Sequence, residues 1–246
     1  GRTTYTFGNA LIAACQQLKA RLINRAGLLL FVDDDSTLEL VPGKVLHAAS
    51  NREISLARLG EFMRPEERSC IGEFVAPVCH DPGTGKGFFI GFPHVIFAYG
   101  AHLARIEVDQ LTGVTRVLDY LAVTDGGKVI NPGMFDQQVH GGVALGLGYA
   151  LMEDLATCDG QVLSGDFSTY LMPGALDLPE IVSLACDSEE STGPFGMKGV
   201  GEVALNGPLP ALANAFAEGC GITLRHAPLT AERVLQALEN LEGSAE

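Results

Sequence analysis

Glycine placement constrains this chain more than any other feature. Thirty of the 246 residues are glycine, about 12% against a usual ~7%. Gly141, Gly142, Gly146 and Gly148 fall inside one apolar helical pattern, where each costs about 1 kcal/mol relative to alanine. A second run, Ser191-Thr-Gly-Pro-Phe-Gly-Met-Lys-Gly-Val-Gly-Glu202, sets Gly196, Gly199 and Gly201 just ahead of a carboxylate. Glycine at that density marks backbone approached closely by something else. For the helix the neighbour is either another helix or a ligand lying against bare main chain, with Gln138 at its first turn able to donate and accept at once.

Composition removes several classes. Hydrophobic residues make up 47% and charged residues 19%, the balance of a globular chain rather than a disordered one. A length of 246 residues suits one large domain or two small ones at roughly 150 residues each. The expected division is one domain over 1–246 with subdomains 1–92 and 93–246. A net charge of −14 argues against nucleic-acid binding, which needs a basic face. The apolar, uncharged stretch Gly141–Met152 is too short to span a bilayer, so no membrane partner is expected. Six cysteines (Cys15, Cys70, Cys79, Cys158, Cys186, Cys220) form no C-x-x-C pair. A reducing, cytoplasmic location is the expectation, with no zinc or iron–sulfur framework on this chain.

Periodicity predicts a helix over Asn9–Ala26, strands over Leu28–Val32 and Thr37–Val41, and a short helix over Glu53–Phe62. Residues Arg64–Gly91 read as an irregular, Pro- and Gly-rich region with a binding role or hidden strands. His94–Val108 and Val114–Thr124 read as strands joined by the turn Asp109–Gly113. Gln137–Leu155 is a helix too apolar around its circumference to sit on a surface. Ile181–Cys186 is a strand, and Pro208–Glu218 and Thr230–Leu241 are helices, the last capped by Thr230. Strands and helices mix without strict alternation, so the expected class is α+β.

Most catalytic signatures fail on spacing. His80–Gly87 lacks the glycine that a phosphate loop requires. Gly196, Gly199 and Gly201 run in the reverse order of a dinucleotide fingerprint. No H-E-x-x-H and no G-x-S-x-G is present. Glu202 stands out: a carboxylate after three glycines and before Val203-Ala204-Leu205 is expected in a poorly solvated setting. Burial there would raise its pKa toward that of a useful general base. The plainer reading is a Gly-rich turn with Glu202 capping the helix that follows.

Taken in order, the motifs resemble a known family. They are Arg2–Ala10, Tyr99–Gly113, Val129-Ile-Asn-Pro through Gln138-Val-His-Gly-Gly142, and Gly196-Met-Lys-Gly-Val-Gly-Glu202, with Asp166–Pro173 and Asp177–Pro179 as a weaker match. The chain resembles the C-terminal half of the molybdopterin-binding subunit of the xanthine oxidase and aldehyde oxidoreductase family of molybdenum hydroxylases. The resemblance implies a mixed sheet-and-helix molybdenum-cofactor-binding fold in two subdomains. It implies an oxidoreductase that hydroxylates an aldehyde or N-heteroaromatic substrate with oxygen from water. By the same resemblance Glu202 is the general base, Gln138 hydrogen-bonds the pterin, and Gly199 and Gly201 lie where backbone meets the metal centre. Arg2, Thr3 and Thr4 match a segment around the pterin pyrophosphate, where a helix N-terminus favours anions. Molybdenum is then held through the molybdopterin, expected in its cytosine dinucleotide form, with no protein side chain as ligand. The 2Fe-2S clusters and FAD are expected on partner subunits.

Two departures accompany the match. The family's prolines just after the glutamate are here delayed to Pro208 by Val203–Gly207. The family's molybdenum subunit is also much longer, so the expectation is a split subunit or a fragment that needs the N-terminal half as partner. The alternative function is a non-catalytic structural or cofactor-delivery subunit. A hydrolase using His94 or His102 lacks a nucleophile to pair with either.

Overall fold

The computed structural model of the chain describes residues 2–76 and 96–242, apart from the side chains of Arg2 and Glu242. Two compact units are formed, by Arg2–Pro93 and by His94–Glu246.

The N-terminal unit opens with helix α1, Arg2–Leu30. It runs past both ends of the expected Asn9–Ala26, and it absorbs the start of the strand expected at Leu28–Val32. A short apolar run carries no period of its own and cannot distinguish strand from helix. The helix stops where Phe31 turns left-handed (φ 53°) and the Val32 N–H returns to the Gly27 carbonyl at 2.9 Å, a Schellman-type closure. An antiparallel meander follows: β1 Leu38–Val41, β2 Lys44–His47 and β3 Arg52–Ser55. Val41 pairs with Lys44, so Pro42-Gly43 is a two-residue turn, with Gly43 at φ +79°. The helix expected over Glu53–Phe62 is therefore partly strand. Only α2, Leu56–Glu61, is helical, and the Ser55 hydroxyl accepts the Arg58 N–H to start it. Ala26, Leu30, Leu38, Val45, Leu59 and Met63 form this unit's core.

The C-terminal unit is a three-stranded sheet with helices on one face. Strand β4 (Gly100–Val108) pairs antiparallel with β5 (Thr115–Asp125). In the turn between them the Asp109 carboxylate accepts the N–H groups of Leu111 and Thr112, and Gly113 takes φ +72°. The register slips between Arg105 and Ile106, leaving Leu118 as a bulge. A parallel neighbour of β5 requires a crossover, and helix α3 (Pro132–Leu151) lies in it. The crossover also contains a small Asp159-Gly160 hairpin, β6 (Thr157–Cys158) and β7 (Gln161–Val162), before β8 (Glu180–Cys186) completes the sheet. Helices α4 (Gly201–Leu205), α5 (Pro208–Cys220) and α6 (Ala231–Glu242) follow. The class is α+β.

Tyr120 and Ala122 of β5, Phe135, Val139, Val143 and Leu147 of α3, and Leu212 and Phe216 of α5 share one core. The other side of α3 departs from expectation. Met134, Leu145 and Tyr149 are more than half exposed and recur on one stripe with Gln138 and Gly141. This chain buries one face of an all-round apolar helix and leaves the other bare.

Candidate functional site

Strand β5 ends in Asp125, and the chain continues through Gly126-Gly127 toward α3. That stretch lies against the loop that leads to α4. The Lys198 N–H donates to the Gly126 carbonyl and the Lys128 N–H to the Gly196 carbonyl, both at 2.8 Å. Gly127 has φ +64°, and a Cβ there would stand 2.4 Å from the Gly196 carbonyl oxygen. The turn at Gly126-Gly127 is thus stitched by main chain to the glycine-rich run ahead of Glu202.

A buried ion pair holds the seam. Lys198 Nζ reaches Asp125 Oδ2 at 2.8 Å, the Phe97 carbonyl at 3.1 Å and Ser188 Oγ at 3.3 Å, using all three ammonium hydrogens. Both side chains are over 90% buried. Burial pushes the Asp125 carboxyl up, but the Lys198 ammonium and the Gly127 N–H outweigh it and hold the carboxyl below its ordinary range.

The helix glycines separate by role. A Cβ on Gly142 would stand 2.8 Å from Ala204 Cβ, and one on Gly146 would stand 2.6 Å from Pro208 Cγ and 2.8 Å from the Leu205 oxygen. One on Gly148 would meet Glu153 and Pro173. These three make room for packed neighbours. Gly141 is exposed with nothing within 4 Å of its Cβ position. It alone keeps the reading of bare backbone open to a ligand.

Beside Gly141, the exposed Gln138 turns its amide toward Gly201: Oε1 is 3.6 Å from where a Gly201 Cβ would be. Glu202 follows in the first turn of α4. Gln138, Gly201 and Glu202 therefore share one corner, with half-buried Gly199 in the loop leading into it. Glu202 is exposed, so the burial expected around its carboxylate is not supplied by the packing of the described residues. Arg2, Thr3 and Thr4 form the first turn of α1, in the other unit. His80, His94 and the segment His80–Gly87 lie outside the described residues.

Sequence reasoning gave no role to Asp125, Lys198, Tyr120 or Gly207, and weighed His102 only for a hydrolase. A lysine set among glycines was the one signal available for the first pair. His102 Nδ1 lies 2.8 Å from the Tyr120 hydroxyl. Burial pushes the His102 imidazole down and the Tyr120 phenol up, so both stay neutral. Among the described residues no three His, Cys, Asp or Glu side chains gather as a metal cage, and no helix is long and apolar enough to cross a membrane. The corner offers a bare glycine backbone, an amide that donates and accepts, and a carboxylate. That donor set fits a pterin edge, where ring nitrogens and carbonyls alternate.

The chain is similar to known proteins. Residues 1–179 match the model of the molybdopterin cofactor-binding domain. The chain is 30% identical over 223 residues to a probable xanthine dehydrogenase subunit of Bacillus subtilis, covering 91% of this chain and 28% of that one. It is 28% identical over 245 residues to the aldehyde oxidoreductase molybdenum-binding subunit PaoC of Escherichia coli, covering 98% of this chain and 30% of that one. Its fold matches that of a Cu,Mo-CO dehydrogenase at a TM-score of 0.76 and 24% identity, over 98% of this chain and 30% of that one. The chain thus spans less than a third of the length of these proteins.

Proposed function

This chain belongs to the molybdopterin cofactor-binding domain family, and from that premise we propose that it forms part of the molybdenum subunit of a hydroxylase of the xanthine oxidase kind. The reaction converts R–H and water to R–OH, two protons and two electrons, with an aldehyde or an N-heteroaromatic ring as substrate. The observation that carries this reading is the placement of the Gln138 amide against Gly201, the residue just before Glu202 in α4.

When bound, the molybdenum cofactor supplies the two-electron acceptor and lowers the pKa of a coordinated water. The chain's residues do the rest. Gln138 orients the pterin through its amide. Gly199 and Gly201 keep side chains out of the space the cofactor needs. Arg2, Thr3 and Thr4, at the start of α1, offer N–H groups and hydroxyls to the pyrophosphate of a cytosine dinucleotide form. Glu202 takes the proton from the attacking oxygen as general base. An exposed carboxylate gains strength as a base only when something covers it. The N-terminal half of the molybdenum subunit is the covering partner in this reading, and the bare apolar stripe on α3 supports a larger body around it. Iron–sulfur and flavin subunits carry the electrons away.

Glu202→Gln in the assembled enzyme tests the assignment. Turnover of xanthine and of an aromatic aldehyde, read with an artificial electron acceptor, should fall by about 10²–10⁴-fold, the usual weight of a positioned base. Molybdenum and pterin content should stay unchanged. A mutant that keeps most of its turnover removes Glu202 from the role.

A further inference from the structure

Helix α4 has only five residues, far too few to hold a helical pose unaided. Its position is therefore set by what packs against it. From one side come Gly142 and Gly146 of α3, which admit Ala204, Leu205 and Pro208. From the sheet comes Gly100, where a Cβ would stand 3.1 Å from Val203 Cγ2. The joint between α4 and α5 is Gly207. The Asn206 N–H, just before it, closes on the Glu202 carbonyl, and the Gly207 carbonyl accepts from Ala211 to open α5.

Gly207 sits at φ −79°, ψ −35°, a conformation that alanine adopts freely. Its backbone angles give no reason for glycine. The reason is a neighbour: a Cβ there would stand 2.2, 2.3 and 2.4 Å from three ring atoms of His102. The imidazole lies flat against the joint. Its own orientation is fixed from below by Tyr120, which is 1% exposed in the core of the sheet, with the hydroxyl at 2.8 Å and the rings edge to face at 5.7 Å. Nε2 is buried without a hydrogen-bond partner among the described residues.

We propose that His102 is a positioning residue for Glu202: its imidazole, held by the Tyr120 hydroxyl, props the Gly207 joint and so sets the pose of the helix carrying the carboxylate. This rests on the reading of Glu202 as the base.

The test uses the assembled holoenzyme with xanthine and an aromatic aldehyde as probes. Tyr120→Phe removes one oxygen and frees the ring to turn. Misplacing a reacting group by about 1 Å can cost about 10²-fold, so a partial loosening should lower kcat per molybdenum by about 10-fold and move KM by less than about twofold. Gly207→Ala should lower kcat similarly by displacing the ring. In a His102→Ala background, adding Gly207→Ala should cost nothing further, because the atoms it overlaps are gone. Amide hydrogen exchange should quicken across 201–207 in Tyr120→Phe, a readout independent of turnover. The inference is overturned if Tyr120→Phe and Gly207→Ala keep wild-type kcat per molybdenum, or if the Gly207→Ala penalty is the same with and without His102. Retained activity in Glu202→Gln overturns it through the base assignment instead. Loss of activity in Glu202→Gln alongside full activity in the His102 set sinks only the positioning role.

Discussion

Replacing Lys198 with methionine should loosen the seam beside the candidate site by an amount the structure bounds. Methionine keeps the length and apolar stem of lysine and deletes only the charge. Asp125 is then left at 2% exposure without its cation. Breaking a buried pair in this way costs about 3–5 kcal/mol. Asp125 keeps the Gly127 N–H at 3.0 Å, which favours the lower end, about 3 kcal/mol. At about 1.4 kcal/mol per decade that is a roughly 10²-fold rise in local opening. The reporters are the amides of Lys198 and Lys128, which bridge the two strands of the seam. Their hydrogen-exchange rates, corrected for intrinsic exchange, should rise by that factor.

The sign with pH follows from the carboxyl. In the wild type its folded pKa is depressed from 3.8, so the pair's contribution is present above that value and fades as pH falls below it. In Lys198→Met burial, the largest cause, is opposed only by backbone N–H groups such as that of Gly127, so the folded pKa rises, and the penalty is full at neutral pH and relaxes on acidification. Adding Asp125→Asn should recover much of the loss, since a neutral amide has no charge to strand. Unchanged exchange at the two amides, or a penalty that grows toward acid, would refute the reasoning.

Gly141→Ala should stabilise α3 by up to about 1 kcal/mol, since nothing stands near its Cβ position, yet lower pterin content if that backbone faces the cofactor. Gly146→Ala should instead destabilise by about 1–3 kcal/mol through overlap with Pro208 and the Leu205 carbonyl. Thermal unfolding alongside molybdenum analysis separates the two, and equal effects would contradict the division of roles. Thr124→Val should be neutral or slightly stabilising, because Thr124 Oγ1 is buried with no partner among the described residues. A loss above about 1 kcal/mol in chemical denaturation would mean that the hydroxyl is satisfied by an internal water.

Local chemistry was legible wherever a residue acts on its near neighbours. The Asp109–Gly113 turn and the Thr230 cap of α6, whose hydroxyl accepts the Arg233 N–H, depend on contacts a few residues apart. Pro42-Gly43 carries the same kind of signal for β2, but Lys44–His47 is only four residues long, too short for alternation to stand out. Leu28-Leu29-Leu30 misleads because a run of identical apolar residues has no period. The glycine segments were visible in the sequence, but their division between packing and open backbone depends on Ala204, Leu205 and Pro208, about sixty residues from the α3 glycines. The exposure of Glu202 was illegible for a different reason: solvation is decided by whatever covers the corner. His102 reads in the sequence only as a nucleophile's partner, although its place in the fold is that of a prop.

The contact between Gly207 and His102 also fixes an order of descent. A lineage that gains a side chain at position 207 while the imidazole remains must pass through a form in which the ring is displaced, since a Cβ there would stand 2.2 Å from it. Loss of the ring at 102 first leaves room, and position 207 is then free to drift. Among relatives of this chain, glycine at 207 should therefore be obligatory where 102 is aromatic or histidine, and variable where 102 is small. Two positions about a hundred residues apart thus form one inherited unit, visible as a rule about which substitution comes first.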